Sequence, residues 1–104
     1  MNAGKSTALL QSNYNYLERG MNTLLFLPKI DADSNDGKIH SRIGLTADAH
    51  SVDTDFNFFH HVSQEHIKKS IDCILIDEAQ FLTKEQVKQI CKISDEINIP
   101  AMCY

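Results

Sequence analysis

A chain of 104 residues with 42% hydrophobic content is one small domain with enough apolar side chain to build a core, which excludes a disordered chain. Its formal net charge of -4 lacks the basic footprint that polyanion binding needs, so nucleic acid is not an expected partner. Nothing at the start reads as a signal peptide and no apolar run approaches the ~20 residues of a membrane span, so a cytoplasmic protein without a membrane partner is expected.

The stretch Lys5–Arg19 holds neither Pro nor Gly and sets Leu10, Tyr14 and Leu17 on one face. It predicts a helix closed by Gly20 in the position that tolerates a left-handed backbone. Thr23–Leu27 (TLLFL) is an apolar run stopped by Pro28, which suits a buried parallel strand. Asp31–Ser41 is polar and rich in Asp, Asn and Gly, and predicts a loop. Residues 42–54 fit more than one reading, with Arg42–Leu45 a candidate short strand.

Asn57–Lys69 predicts a second helix, with Phe58, Val62 and Ile67 roughly in phase. Cys73–Ile76 (CILI) predicts a second buried strand, ending in Asp77 and Glu78. Thr83 then reads as an N-cap, with Gln86 completing a capping box. Val87, Ile90, Cys91, Ser94 and Ile97 follow at helical spacing until Pro100, and Ala101–Tyr104 opens a third strand. Cys73, Cys91 and Cys103 are odd in number and set among apolar neighbours, so they read as buried thiols and not as a disulfide or zinc framework. Strands alternating with helices imply an α/β fold with a parallel sheet and right-handed crossovers.

Two stretches carry chemistry. Met1-Asn2-Ala3-Gly4-Lys5-Ser6-Thr7 sets Gly-Lys-Ser directly before a helix, matching the end of a G-x-x-x-x-G-K-[ST] phosphate loop. The first glycine of that pattern and the strand that feeds it fall ahead of Met1. In this reading Gly4 lets the backbone approach the phosphates, and the amides of the helix start face the anion. Lys5 supplies charge to the β- and γ-phosphates, and the Ser6 hydroxyl can ligate Mg²⁺. Taken alone, the three residues also fit an ordinary helix start.

Ile74-Leu75-Ile76-Asp77-Glu78 is an apolar strand ending in two acids, at the end of the strand where α/β sheets place their ligand sites. Asp77 would hold the magnesium, directly or through a water, and Glu78 would act on the nucleophile. Taken alone, the pair also fits two solvated carboxylates at a strand end. The presence of both motifs favours a nucleotide site for each.

Together with Ala8–Ser12, Tyr14–Tyr16, Ser41–Leu45, Ile76–Thr83 and Ile99–Tyr104, these residues closely resemble bacterial thymidine kinases of the type found also in animal cytosol. The resemblance covers nearly the whole chain. It implies a P-loop (RecA-like) parallel sheet flanked by helices and incomplete at both ends, with residues 1–104 a partial nucleotide-binding domain. The implied reaction moves the γ-phosphoryl of ATP to the 5′-hydroxyl of thymidine, giving dTMP, with Mg²⁺ as cofactor.

In that scheme Glu78 matches the general base, and Ser6 and Asp77 match the magnesium site. Met1, Asn2, Ala3, Gly4, Lys5, Ser6 and Thr7, with Asp77, Glu78, Ala79 and Gln80, match the ATP-binding stretches. Met1 and Phe81 match positions near the thymine pocket, although each also fits core packing. The family is usually homotetrameric. It carries an arginine two residues after the acid at Asp31, where this chain has Asp33; Arg42 is the candidate substitute. The family's glycine-leucine-arginine segment, thymidine-covering lasso and cysteine-rich zinc domain fall past Tyr104. No zinc ligand is therefore assigned here, and the isolated chain is expected to be inactive.

Two other classes share part of this pattern. Helicase-like ATPases carry a similar Asp-Glu-Ala-Gln motif, in which Glu78 would orient a water. The net charge, Phe81-Leu82-Thr83 and the lack of a Ser-Ala-Thr motif at residues 101–104 stand against that reading. A non-catalytic nucleotide-binding module is the other. His60, His61 and His66 match no metal-site spacing and read as a solvated helix face. Phe56, Phe58 and Phe59 read as core or subunit contacts.

Overall fold

The computed structural model describes residues 2–28, 38–40 and 46–104, with residues 2–6, 38, 40 and 46 as backbone alone. Helix α1 (Asn2–Glu18) begins earlier than the predicted Lys5. Once a helix is nucleated each further residue adds one bond, and Ala3 and Lys5 favour it enough to outweigh the roughly 1 kcal/mol cost of Gly4. Gly20 ends the run at φ 77°, as predicted.

The buried face of α1 differs from the predicted one. Leu9, Leu10 and Asn13 are buried, whereas Tyr14 and Leu17 are 60% and 53% exposed. Asn13 goes inside because its side-chain oxygen accepts the Thr23 hydroxyl proton, which ties α1 to the first strand.

Strands β1 (Thr23–Pro28), β4 (His50–Val52), β5 (Cys73–Ile76) and β6 (Ala101–Cys103) form one parallel sheet in the order β4-β1-β5-β6. Leu24 pairs with Ile74 and Phe26 with Ile76, so alternate residues of β1 and β5 line up on opposite faces. Leu24, Phe26, Ile74 and Ile76 pack with Phe58 and Val62 of α2 (Phe58–Lys68) and Ile90 of α3 (Lys84–Lys92). Leu25, Leu27, Cys73 and Leu75 pack with Leu9 and Leu10 of α1 on the other side. Burial on both faces is why these strands are continuous apolar runs and not alternating ones.

Both later helices are capped at their amino ends, α3 by the predicted Thr83–Gln86 box and α2 by Asn57, for which no cap was expected. Asn57 accepts the His60 amide at 2.9 Å, and Thr83 and Gln86 form a reciprocal capping box at 3.1 and 3.0 Å. Two side-chain phases need correcting. Ile67 is 80% exposed. At ~100° per residue it points away from the Phe58–Val62 face. On α3 the buried positions are Gln86 and Ile90, followed by Ile93 in a π-helical turn (Ile93–Ile97); Val87, Cys91 and Ser94 face outward. Cys91 and Cys103 are exposed and only Cys73 is buried, against the expectation of three buried thiols.

The predicted loop over Asp31–Ser41 contains a strand. β2 (Lys38–His40) pairs antiparallel with β3 (Thr46–Asp48), Ile39 opposite Ala47. A single apolar residue, Ile39 at 1% exposure, anchors it against α1, too short a signal to stand out in a polar segment. The candidate strand at Arg42–Leu45, the Asp33 and Arg42 positions and Met1 lie outside the described residues.

Candidate nucleotide site

β5 delivers Asp77 and Glu78 to the carboxyl edge of the sheet, where neighbouring strands hold the following turn. The Asp77 amide donates to the Phe26 carbonyl of β1 at 3.0 Å. The Ala79 amide donates to the Tyr104 carbonyl at 3.1 Å, just beyond β6, and the Tyr104 amide donates back to Ile76 at 2.9 Å. The acid pair therefore sits at a junction of three strands, followed by a 3₁₀ turn over Ala79–Phe81.

Both acids are inside. Asp77 is 3% and Glu78 5% exposed, which rules out the alternative of two solvated carboxylates. Asp77 Oδ1 accepts the Glu78 amide at 3.0 Å. Glu78 stands in the left-handed region at φ 54°, ψ 42°, one of two non-glycine residues described there. An L-residue held so costs of order 1–2 kcal/mol, and such strain concentrates at functional positions. Gln80 Nε2 reaches both Glu78 carboxylate oxygens at 3.4 Å. Phe81 is 49% exposed, so it is available to a ligand and is not core packing in this chain.

The other motif lies at the same end of the sheet. α1 leads through Gly20 into the start of β1, and near its middle Ser12 Oγ accepts the Tyr104 hydroxyl proton at 3.0 Å. A 17-residue helix is ~25 Å long at 1.5 Å per residue, so the backbone of Asn2, Ala3, Gly4, Lys5 and Ser6 runs on past the strand ends. The first amides of a helix have no intrahelical acceptor, which suits an anion. Thr7 is half-buried behind them. Asn2–Gly4 wind into the helix instead of forming a loop ahead of it. Tyr104, which braces both the acid turn and α1, was visible in the sequence only as a strand end; nothing there marks its two contacts.

Among the described residues no group of three or more His, Cys, Asp or Glu side chains could hold a metal.

The family model described as thymidine kinase matches residues 1–104. The chain belongs to the thymidine kinase family. It is 53% identical over 104 residues to a thymidine kinase of Aliivibrio fischeri, covering all of this chain and 54% of that protein. A Colwellia psychrerythraea thymidine kinase is 54% identical, with 54% of its length covered, and one from Escherichia coli O157:H7 is 47% identical, with 51% covered. The chain spans about half the length of the curated relatives it matches. The family and these names favour the kinase over the helicase-like reading. No helix among the described residues is long and apolar enough to cross a membrane.

Proposed function

We propose that this chain is the phosphate- and metal-holding part of a thymidine kinase, which transfers the γ-phosphoryl of ATP to the 5′-hydroxyl of thymidine in nucleotide salvage. The observation that carries it is the buried Asp77–Glu78 pair at the carboxyl end of β5, with Glu78 in a strained left-handed backbone. Glu78 is the general base: its carboxylate accepts the hydroxyl proton as the oxygen attacks in line. Asp77 and Ser6 are the residues that would hold Mg²⁺, which when bound neutralises phosphate charge. Lys5 and the amides at the α1 start grip the phosphates, and Asp77 to Gln80 contact the nucleotide. Met1 and Phe81 border the thymine.

We further propose that the 104 residues alone are inactive, because they span only about half the length of the relatives they match. The family's homotetramer and a cytoplasmic location belong to the same reading, the latter in keeping with three free cysteines.

The test is a chimera in which this chain replaces the matching 104 residues of the Aliivibrio fischeri protein. Thymidine-dependent ADP release should be present, and Glu78→Gln should lower kcat by about 10²–10⁴ with little change in the KM for ATP. A folded chimera without activity, or a Glu78→Gln variant as fast as its parent, would overturn the assignment. Enzyme-like turnover by the 104-residue chain itself would overturn the claim that it is inactive alone.

A further inference from the structure

Helix α1 is held on the sheet by two kinds of contact. Leu9 and Leu10 pack with Leu25, Leu27 and Leu75, an apolar seat that keeps the helix down but is non-directional. Direction comes from hydrogen bonds, which have a fixed geometry. Neighbouring residues of α1 make two of them, to different parts of the sheet. Asn13 accepts from the Thr23 hydroxyl at the start of β1, and Ser12 accepts from the Tyr104 hydroxyl just past the end of β6. β1 and β6 lie on either side of β5, so α1 is pinned on both sides of the strand that leads to the acids.

Tyr104 is also locked to the acid turn through its backbone. Its amide donates to Ile76 at 2.9 Å and its carbonyl accepts from Ala79 at 3.1 Å, so these bonds close on either side of Asp77 and Glu78. Its ring packs against the Leu25, Leu27 and Leu75 cluster, which stiffens the path from backbone to hydroxyl. The hydroxyl is 3.0 Å from Ser12 Oγ and 3.6 Å from the Met102 sulfur, and the serine oxygen is the stronger acceptor.

Ser12 and Ser6 are ~9 Å apart along α1 at 1.5 Å per residue. Without the Tyr104 bond, α1 can turn about the Asn13–Thr23 bond, and over that span the turn shifts Gly-Lys-Ser against the acid pair. A misplacement of ~1 Å far from the chemistry costs up to about 10²-fold in rate.

We infer that Tyr104 is a positioning residue for phosphoryl transfer: its hydroxyl bond to Ser12 keeps the phosphate-gripping start of α1 in register with Glu78. The inference rests on the proposed kinase reading, in which Lys5 and the α1 amides hold the phosphates and Glu78 takes the proton of the attacking hydroxyl. The role needs no contact between Tyr104 and either substrate. It sets the spacing of two parts that each bind on their own, so it acts on the rate of the bound complex and little on binding.

The test uses the chimera with the Aliivibrio fischeri protein, carrying Tyr104→Phe, Ser12→Ala or both. Tyr104→Phe keeps the ring and removes only the hydroxyl. Each single variant should lose about 10- to 100-fold in kcat, with the KM for ATP and for thymidine changed by less than about twofold. The double variant should be no slower than either single one, because both remove the same bond. Ser12→Thr retains an acceptor hydroxyl and should stay within about threefold of the parent. Calorimetric binding of ATP without thymidine should be the same in all of them. Tyr104→Phe with the parent's kcat, in a chimera that Glu78→Gln slows, would overturn the inference and leave the kinase assignment standing. Losses that multiply in the double variant, or ATP affinity that falls in step with kcat, would give Tyr104 a general structural role and overturn it too. A folded parent chimera without activity would remove both.

Discussion

The Ala79 amide donates to the Tyr104 carbonyl at 3.1 Å, so the turn carrying the acid pair is tied to the residue that follows the outermost strand. The Tyr104 hydroxyl in turn donates to Ser12 of α1 at 3.0 Å. One residue thus braces the acid turn and the helix whose amino end carries Gly-Lys-Ser. Order at β6 is therefore coupled to the relative position of the two halves of the site.

Glu78 should invert the usual ranking of alanine and glycine. At φ 54° an alanine keeps the left-handed strain and a glycine does not. Glu78→Gly is expected to be more stable than Glu78→Ala by about 1 kcal/mol in urea denaturation. Both variants should lose phosphoryl transfer in the chimera. An alanine variant as stable as the glycine one would show that the left-handed conformation carries no strain.

Gln86 should be the costliest polar substitution on α3. It is 2% exposed, its Oε1 accepts the Thr83 amide at 3.0 Å, and its Nε2 donates to Asp53 and Phe56 carbonyls at 2.7 and 3.3 Å. Gln86→Ala removes half a capping box and leaves carbonyls of the 53–56 segment short of a donor. The expected loss is about 3 kcal/mol, against about 1 kcal/mol for Thr83→Ala, which loses the cap alone. Equal losses in the two variants would mean that Gln86 acts only as a cap.

Strands β1 and β5, the α3 capping box and the acid motif were legible in the sequence because each rests on local chemistry. A doubly buried strand is a continuous apolar run, a capping box has fixed spacing, and Gly20 marks a left-handed stop. Side-chain phase was less legible. Asn13 and Gln86 are buried polar residues whose partners, Thr23 and residues 53–56, are set by tertiary contact, so polarity pointed the wrong way. Val87, Cys91 and Ser94 looked like core, and in this chain the surface beside them is open. The acids could be named as a site, but their burial and the left-handed backbone of Glu78 depend on the strands on either side.

His61 should make the fold sensitive to mild acid. Its ring lies 4.8 Å from that of His50, 5.3 Å from Phe56 and 5.8 Å from Phe26, and its Nε2 has no hydrogen-bond partner among the described residues. Burial, then the His50 ring, hold its pKa below the ordinary value, with Lys68 and His60 adding and Glu65 opposing. The unfolded chain therefore takes up a proton at this position more readily. Stability from His61 is complete above about pH 6.5 and falls as the pH drops through that value towards the lower folded pKa. His61→Phe keeps the ring contacts without the titration and should flatten the decline between about pH 7 and pH 5 in chemical denaturation. An unchanged slope would place the acid sensitivity elsewhere.

The three thiols should separate by alkylation rate. Cys73 is fully buried between β1 and α1, and burial pushes its thiol up, partly offset by the Tyr16 hydroxyl. Cys103 is exposed along β6, but desolvation beside the α3 groove, with a smaller contribution from Cys91, raises its pKa as well. Cys91 stands exposed on α3. Because the thiolate is the nucleophile, iodoacetamide at about pH 8 should label Cys91 first, Cys103 more slowly, and Cys73 only when the sheet opens. The Cys103 rate should keep climbing above about pH 9, where more of its raised thiol ionises. Cys73 labelled as fast as Cys91 would mean that β5 is not held in the centre of a closed sheet, and the placement of Asp77 and Glu78 would fail with it.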